Sequence, residues 1–308
     1  MDKKKSIRSF IDLHLCSCHD LRTILYYGMD IKKNPSKYHN YLTGKSIALI
    51  FCQPSTRTRV SFEVGIHQLG AHYTILKESD MQLSRGESVH DTAKVLSRYV
   101  NLIVLRAIQH SFLLEFNKYS SIPIINGLTQ YSHPCQILAD IMTYEEKREK
   151  SITNSIVSWI GDNNNVLNTW IHAAPVLQFT LKISTPNYST DLDHKIKLAK
   201  AAGANIEYKN NPKDIIYDAD IITTDAWYSM GSNHDVSQLM SQFANYQINS
   251  DLVSNAKPNY MFLHCLPAHI NQEVTNDVIN GPNSYVFDEA ENRLHIQKAI
   301  MLWCLGLI

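Results

Sequence analysis

What the chain lacks sets the first limits. It carries no net charge, since Lys+Arg and Asp+Glu both number 29. A neutral chain has no basic stripe for a phosphate backbone, which argues against nucleic acid as a partner and makes any anion binding local. Long apolar runs are missing as well. The most apolar stretch, AIMLWCLGLI (299–308), is about half the ~20 residues a membrane span requires. The opening MDKKKSIRSFIDLHLCSCHD is interrupted by Asp12, His14 and Asp20 where a signal peptide would stay apolar. No membrane partner and no export signal are expected, so the chain is read as cytoplasmic. The six cysteines are scattered without framework spacing and are expected to be free thiols. The C-x-C of HLCSCH (14–19) has no second cluster to complete a zinc set. It is read as the start of an amphipathic helix with small thiols packed inward. There is no internal repeat and no G-x-x-x-x-G-K-[ST]. GDNNN (161–165) lacks the second and third glycines of a dinucleotide turn, which removes an NAD role.

What is present is ample material for a core: 308 residues, 44% hydrophobic and 19% charged, enough for two domains of about 150. Short β-branched runs alternate with helix-length segments. Candidate strands in the first half are SIALIF (46–51), AHYTIL (71–76), LIVL (102–105) and IPII (122–125). Between them ESVHDTAKVLSRYV places Val89, Ala93, Leu96 and Val100 on one helical face. After the charged stretch 145–155 a second set follows: SIVSWI (155–160), TLKIS (180–184), ANIEY (204–208), DIITT (220–224), NYMFLH (259–264) and SYVF (284–287). This alternation predicts an α/β protein with two doubly wound domains, each a central parallel sheet flanked by helices. The boundary is expected near 147/148, with a final helix over about 289–305.

Ligands of open α/β sheets sit outside the carboxyl ends of the strands. The polar clusters of this chain fall there: PSTRTR after the first strand, Arg106 ending the third, HPCQ, GDNNN, DAWYSMG and HCLP after later ones. Ser, Thr and Arg at a helix start suit a phosphate, through unpaired N–H groups, hydroxyls and a bidentate guanidinium. Taken alone, the same stretch reads first as a capped helix with surface arginines. His133 and Gln136 lie one turn apart at a helix start marked by Pro134 and can hydrogen-bond a carbonyl or amide, or His133 simply caps the helix. The asparagines of GDNNN offer donors and acceptors to a zwitterionic amino acid, or simply form an Asx turn. Cys265 reads as nucleophile, metal ligand or polar contact, and spacing does not choose between them.

Taken in order, these clusters resemble the aspartate/ornithine carbamoyltransferase family, and its ornithine-type members in particular. STRTR resembles the carbamoyl-phosphate signature and HPCQ its HPxQ. DAWYSMG and HCLP resemble the ornithine-type D-x-W-x-S-M-G and HCLP, and GESVHDTAKVLSRY and EAENRLHIQKAIM the connecting segments. The resemblance runs nearly end to end. It implies a carbamoyl-phosphate domain (1–147) and an ornithine domain (148–308) whose C-terminal helix packs back on the first. It implies carbamoyl transfer from carbamoyl phosphate to L-ornithine, without metal or organic cofactor, in a homotrimer or a multiple of it.

On this resemblance Ser55, Thr56, Arg57 and Thr58 hold the phosphate. Arg106 and His133 polarise the carbonyl, Gln136 reaches the carbamoyl amide, and Arg293 lies near the carbamoyl group. Gln82 reaches a neighbouring subunit's phosphate site. Asn165, Asp225, Ser229 and Met230 form the ornithine site, and Cys265 and Leu266 line the junction of the ligands. The catalytic group is Arg106, His133, Cys265, Asp225 and Thr58, with Cys265 orienting the amine and not attacking. Arg59 is expected to pair structurally with a carboxylate. One departure stands out: Ile270-Asn271 occupies the place of an Arg-Gly pair common in bacterial relatives. An aspartate-specific enzyme is disfavoured because Ala268 stands where that branch uses an arginine. A putrescine-specific enzyme and a silent amino-acid-binding relative remain the rivals.

Overall fold

The computed structural model describes residues 7–228 and 236–308. The chain divides into two compact units, one of residues 1–142 with 291–308 and a second of residues 143–290.

In the first unit α1 (Cys18–Lys33) precedes four strands joined by helices. They are β1 (Ser46–Phe51), α2 (Thr56–Gln68), β2 (His72–Lys77), α3 (Val89–Tyr99), β3 (Leu102–Arg106), α4 (His110–Tyr119), β4 (Ile124–Leu128) and α5 (Pro134–Arg148). The sheet order is β2-β1-β3-β4 and every pairing is parallel. Both faces are covered, so the inner strands read as continuous apolar runs; Ile47 to Ile50 and Leu102 to Leu105 are fully buried. Ala93 is buried in this core, with Val89, Leu96 and Val100 packed against it, as the helical spacing predicts.

Ser17 caps α1, accepting from Asp20 N at 3.1 Å while the Asp20 carboxylate takes Ser17 N. That register turns Leu21, Ile24, Leu25, Gly28 and Ile31 inward. The expectation for HLCSCH is thereby corrected. Cys18 is the first helical residue and is exposed, and Cys16 lies ahead of the helix, half-buried. The inward face begins one turn later than the cysteine spacing suggests.

The second unit holds β5 (Ile156–Ile160), α6 (Asn165–Leu177), β6 (Thr180–Ser184), α7 (Thr190–Ala201), β7 (Asn205–Tyr208), β8 (Ile221–Thr224), α8 (Val236–Phe243) and β9 (Met261–His264). Its sheet order is β7-β6-β5-β8-β9, again parallel throughout. The strand expected at SYVF is absent. Ser284 makes one isolated bridge to Phe262, and Val286 opens α9 (Val286–Cys304), with Asp288 and Glu289 in its first turn. Two acidic residues at that position favour a helix start over continued pairing.

The C-terminal part of α9 belongs to the first unit. Trp303 Nε1 donates to Asp20 Oδ1 at 3.1 Å, and a Cβ on Gly28 would lie 2.9 Å from Ile296 Cδ1. Gly28 therefore lets α1 and α9 approach closely. No helix among the described residues is long and apolar enough to cross a membrane.

Candidate active site

In the first unit the site is built from the ends of three strands. Residues 52–55 carry the chain from β1 into α2, where Ser55 is the N-cap and accepts from Thr58 N at 3.3 Å. One turn of helix then buries Thr58, which is 2% exposed, and leaves Arg57 half-buried and Thr56 exposed. The Thr58 hydroxyl receives two guanidinium groups: Arg106 Nη1 from the end of β3 at 3.1 Å, and Arg293 Nη2 from α9 at 3.2 Å. Arg293 Nη1 also donates to Gln136 Oε1 at 2.5 Å and lies 3.5 Å from His133 Nε2. Thr58, Arg106, His133, Gln136 and Arg293 thus converge. Gln82 does not join them: it is exposed in a short 3-10 turn (Gln82–Arg85). Arg59 Nε pairs with Glu63 Oε1 at 2.6 Å on the outer face of α2, the structural role expected for it.

His133 is the electrostatic focus. Burial, followed by the charges of Arg293, Arg106 and Arg57, holds its imidazole well below the ordinary histidine range. The ring is neutral in the fold but titrates near 6.5 in an unfolded chain. Between the folded value and 6.5 the unfolded chain binds more protons. The stability His133 contributes is thus present above about 6.5 and is lost as pH falls through this window toward the folded value. Unfolding midpoints measured from pH 7 down to pH 5 should fall less steeply for His133→Asn than for the parent.

Three side chains in the support of this cluster escape sequence reading. Gln136 Nε2 donates to Asp140 Oδ1 at 2.8 Å. In the amide orientation that satisfies its neighbours, Gln297 accepts from Arg293 Nη2 at 2.9 Å and Nε at 3.2 Å, and donates to Ser61 Oγ at 2.6 Å. Asp140 and Gln297 each lie four residues after the side chain they hold, and Ser61 three after Thr58. That helical spacing is the only signal the sequence offers.

In the second unit β5, β8 and β9 are neighbours, and their carboxyl ends carry GDNN, Asp225 and Cys265-Leu266. Asp225 gathers them: Oδ1 accepts from Cys265 Sγ at 3.1 Å and from Ala226 N at 2.8 Å, and Oδ2 accepts from Asn164 Nδ2 at 2.9 Å. Asn164 also caps α6, its Oδ1 accepting from Val166 N and Leu167 N. It is the asparagine that sequence reasoning passes over in favour of Asn165, the first helical residue. Ser229 and Met230 lie outside the described residues. Ile270-Asn271 closes a turn in which Asn271 has φ 68°, a conformation glycine takes freely and asparagine tolerates.

Gly161, which begins GDNNN, has φ 152°, and a Cβ there would lie 2.7 Å from Thr224 Oγ1. Gly161→Ala is expected to destabilise by about 1–3 kcal/mol, read as a lower urea midpoint, and to loosen the Asn164–Asp225 bond three residues on.

Asp225, His264 and Cys265 place donor atoms within 4.8 Å of one another. A cation does not fit this set. His264 Nδ1 accepts from Leu266 N at 2.9 Å, and Nε2 faces the buried Glu273 carboxylate at 3.2 Å. Both ring nitrogens are committed, leaving no lone pair to give.

With this geometry in place, two known domain families match the chain: the aspartate/ornithine carbamoyltransferase carbamoyl-P binding domain over residues 8–146, and the Asp/Orn binding domain over 153–304. The chain belongs to the aspartate/ornithine carbamoyltransferase family. It is 46% identical over 308 residues to the ornithine carbamoyltransferase of Rhodopseudomonas palustris (strain BisA53), covering 98% of each chain. Among solved structures it resembles the ornithine carbamoyltransferase of Pyrococcus furiosus, with TM-score 0.91, 42% identity and 98% of each chain covered. It also resembles that of Burkholderia thailandensis E264, with TM-score 0.88, 40% identity, and 97% and 99% covered.

Proposed function

We propose that the chain transfers the carbamoyl group of carbamoyl phosphate to the δ-amine of L-ornithine, giving L-citrulline and phosphate. The observation that carries this reading is the convergence of Arg106 and Arg293 on the Thr58 hydroxyl beside a neutral His133. Two guanidinium groups meeting at one hydroxyl, with an uncharged imidazole alongside, suit an anionic substrate with a polarisable carbonyl. We assign carbamoyl phosphate to the first unit and ornithine to the second.

The phosphate is held by Ser55, Thr56, Arg57 and Thr58, where a helix N-terminus adds its partial charge. Attack on the carbonyl builds an oxyanion. Arg106, His133 and Thr58 are the donors for it, and a neutral imidazole still offers one N–H. Losing one such donor costs about 100- to 1,000-fold in rate. Gln136 takes the carbamoyl amide and Arg293 braces the group. The δ-amine, with a solution pKa of about 10.4 for a lysine-like amine, must be neutral to attack, and desolvation favours that form. Asp225 and Cys265 position it. Asn165, Ser229 and Met230 hold the α-amino-acid head, and Leu266 lines the contact between the substrates. The departing phosphate accepts the amine proton. The reading carries with it a cytoplasmic homotrimer, or a multiple of it, in which Gln82 serves a neighbour's phosphate site.

Purified protein given carbamoyl phosphate should form citrulline from ornithine, with little competition from putrescine or lysine. Ornithine binding without citrulline would favour a silent relative, and preference for putrescine the diamine enzyme.

A further inference from the structure

Away from the carbamoyl-phosphate residues, the first unit holds a cavity of about 520 Å³ whose lining includes Tyr38, His39, Asn40, Gln68, Leu69 and Lys298. His39, Asn40 and Gln68 are exposed, so the cavity opens to solvent. Lys298, from α9, is the buried cation in its wall, only 2% exposed. Its aliphatic stem packs on Gly65, where a Cβ would lie 3.2 Å from Lys298 Cγ. Its Nζ donates to the neutral Gln68 Oε1 at 2.8 Å and, among the described residues, forms no ion pair. A buried lysine without a carboxylate is uncommon, because its charged form loses hydration without compensation.

We propose that Lys298 is a carbamoylation site, at which the amine facing this cavity takes up cyanate. The Nζ lone pair attacks the carbon of isocyanic acid, the protonated form of cyanate, and forms an N–C bond. The π pair of the C=N bond takes a proton, the amine nitrogen releases one, and a ureido group results with no leaving group. The product is neutral, retains an N–H for Gln68, and adds three heavy atoms to a side chain that already borders open volume. The proposal rests on the function above only for the supply of reagent, since carbamoyl phosphate sheds cyanate and phosphate in water.

Burial alone lowers the Lys298 amine to about 8. At pH 7.4 about a fifth of it is then neutral, against about a thousandth for a lysine at the ordinary value. Weaker basicity offsets part of that advantage, as measured for thiolates, leaving an expected excess of about tenfold. Two titratable neighbours change state well outside that range. His295, on the same helix, is pushed to about 4 by burial and by Lys298 and Lys32. The Tyr38 hydroxyl is raised to about 12, by burial and by its bond to Asp30. His39 sits at the exposed rim.

The test is peptide mapping by mass spectrometry of folded protein treated with dilute potassium cyanate, which requires no turnover. Lys298 should be modified about tenfold faster than the exposed Lys94 and Lys209 at pH 7.4. The reactive acid form of cyanate falls about tenfold per pH unit. The Lys298 rate should therefore fall above about pH 8, where its amine is already neutral, while theirs stays level toward about pH 10. A Lys298 rate no greater than theirs, a shared pH profile, or an adduct that appears only in urea would overturn the proposal. Each outcome is independent of whether citrulline is formed.

Discussion

Arg57→Ala is expected to abolish nearly all citrulline formation, a loss on the order of 1,000-fold, while the unfolding free energy from urea titration stays within about 0.5 kcal/mol of the parent. The two halves of that expectation have different causes. Arg57 lies in the first turn of α2, half-buried, and forms no ion pair among the described residues, so the fold draws little from its charge. Alanine is also the better helix former. Its charge is nonetheless felt inside the site: after burial and the charges of Arg293 and Arg106, it helps to keep His133 neutral. In the proposed reaction it meets the phosphate at the helix N-terminus, where negative charge accumulates as the C–O bond breaks. An interaction that strengthens as charge develops lowers kcat when it is removed, beyond any change in KM. Steady-state kinetics beside an unfolding curve separate the two effects. A variant with near-parent turnover would sink the assignment of residues 55–58 to the phosphate.

The extent to which this site could be read from sequence follows from what each residue type must do. Strand ends were legible because the buried parallel strands are mostly apolar, so a cluster of polar residues after such a run marks the exit. Arg106, Asp225 and Cys265 stand at such exits. Ser55 was legible as a cap because few residue types can bond the N–H groups of a first turn. Residues that hold other side chains were not. Asp140, Ser61 and Gln297 lie inside helices where any polar residue fits the local pattern, and only the packed structure shows which groups they meet. Asn164 escaped notice beside Asn165 because only the packed structure shows which asparagine caps α6 and meets Asp225. SYVF failed for a related reason: its composition suits a strand, but the acidic residues after it begin a helix.

Glu273→Ala is expected to destabilise the protein by about 2–4 kcal/mol, the range for removing one partner of a buried, charge-assisted network, and to raise the KM for ornithine. Glu273 is fully buried. Its Oε1 accepts from His269 N at 2.6 Å and faces His264 Nε2 at 3.2 Å. Because His264 Nδ1 already accepts from Leu266 N, the ring proton belongs on Nε2, where the carboxylate receives it. Glu273 therefore fixes the histidine tautomer, and the tautomer fixes the Leu266 amide in a backbone with φ 55°. Leu266 adjoins Cys265, whose thiol donates to Asp225, so a buried acid further along the chain sets the position of the groups proposed to hold the amine. Alanine removes the acceptor and leaves a void. Glu273→Gln keeps the shape and one acceptor oxygen, so it should lie between the parent and the alanine variant in both urea midpoint and KM. Ordinary surface effects would not produce that ranking in two independent readouts. An alanine variant with parent-like midpoint and KM would show that the loop holds itself, and that the tautomer of His264 has no part in ornithine binding.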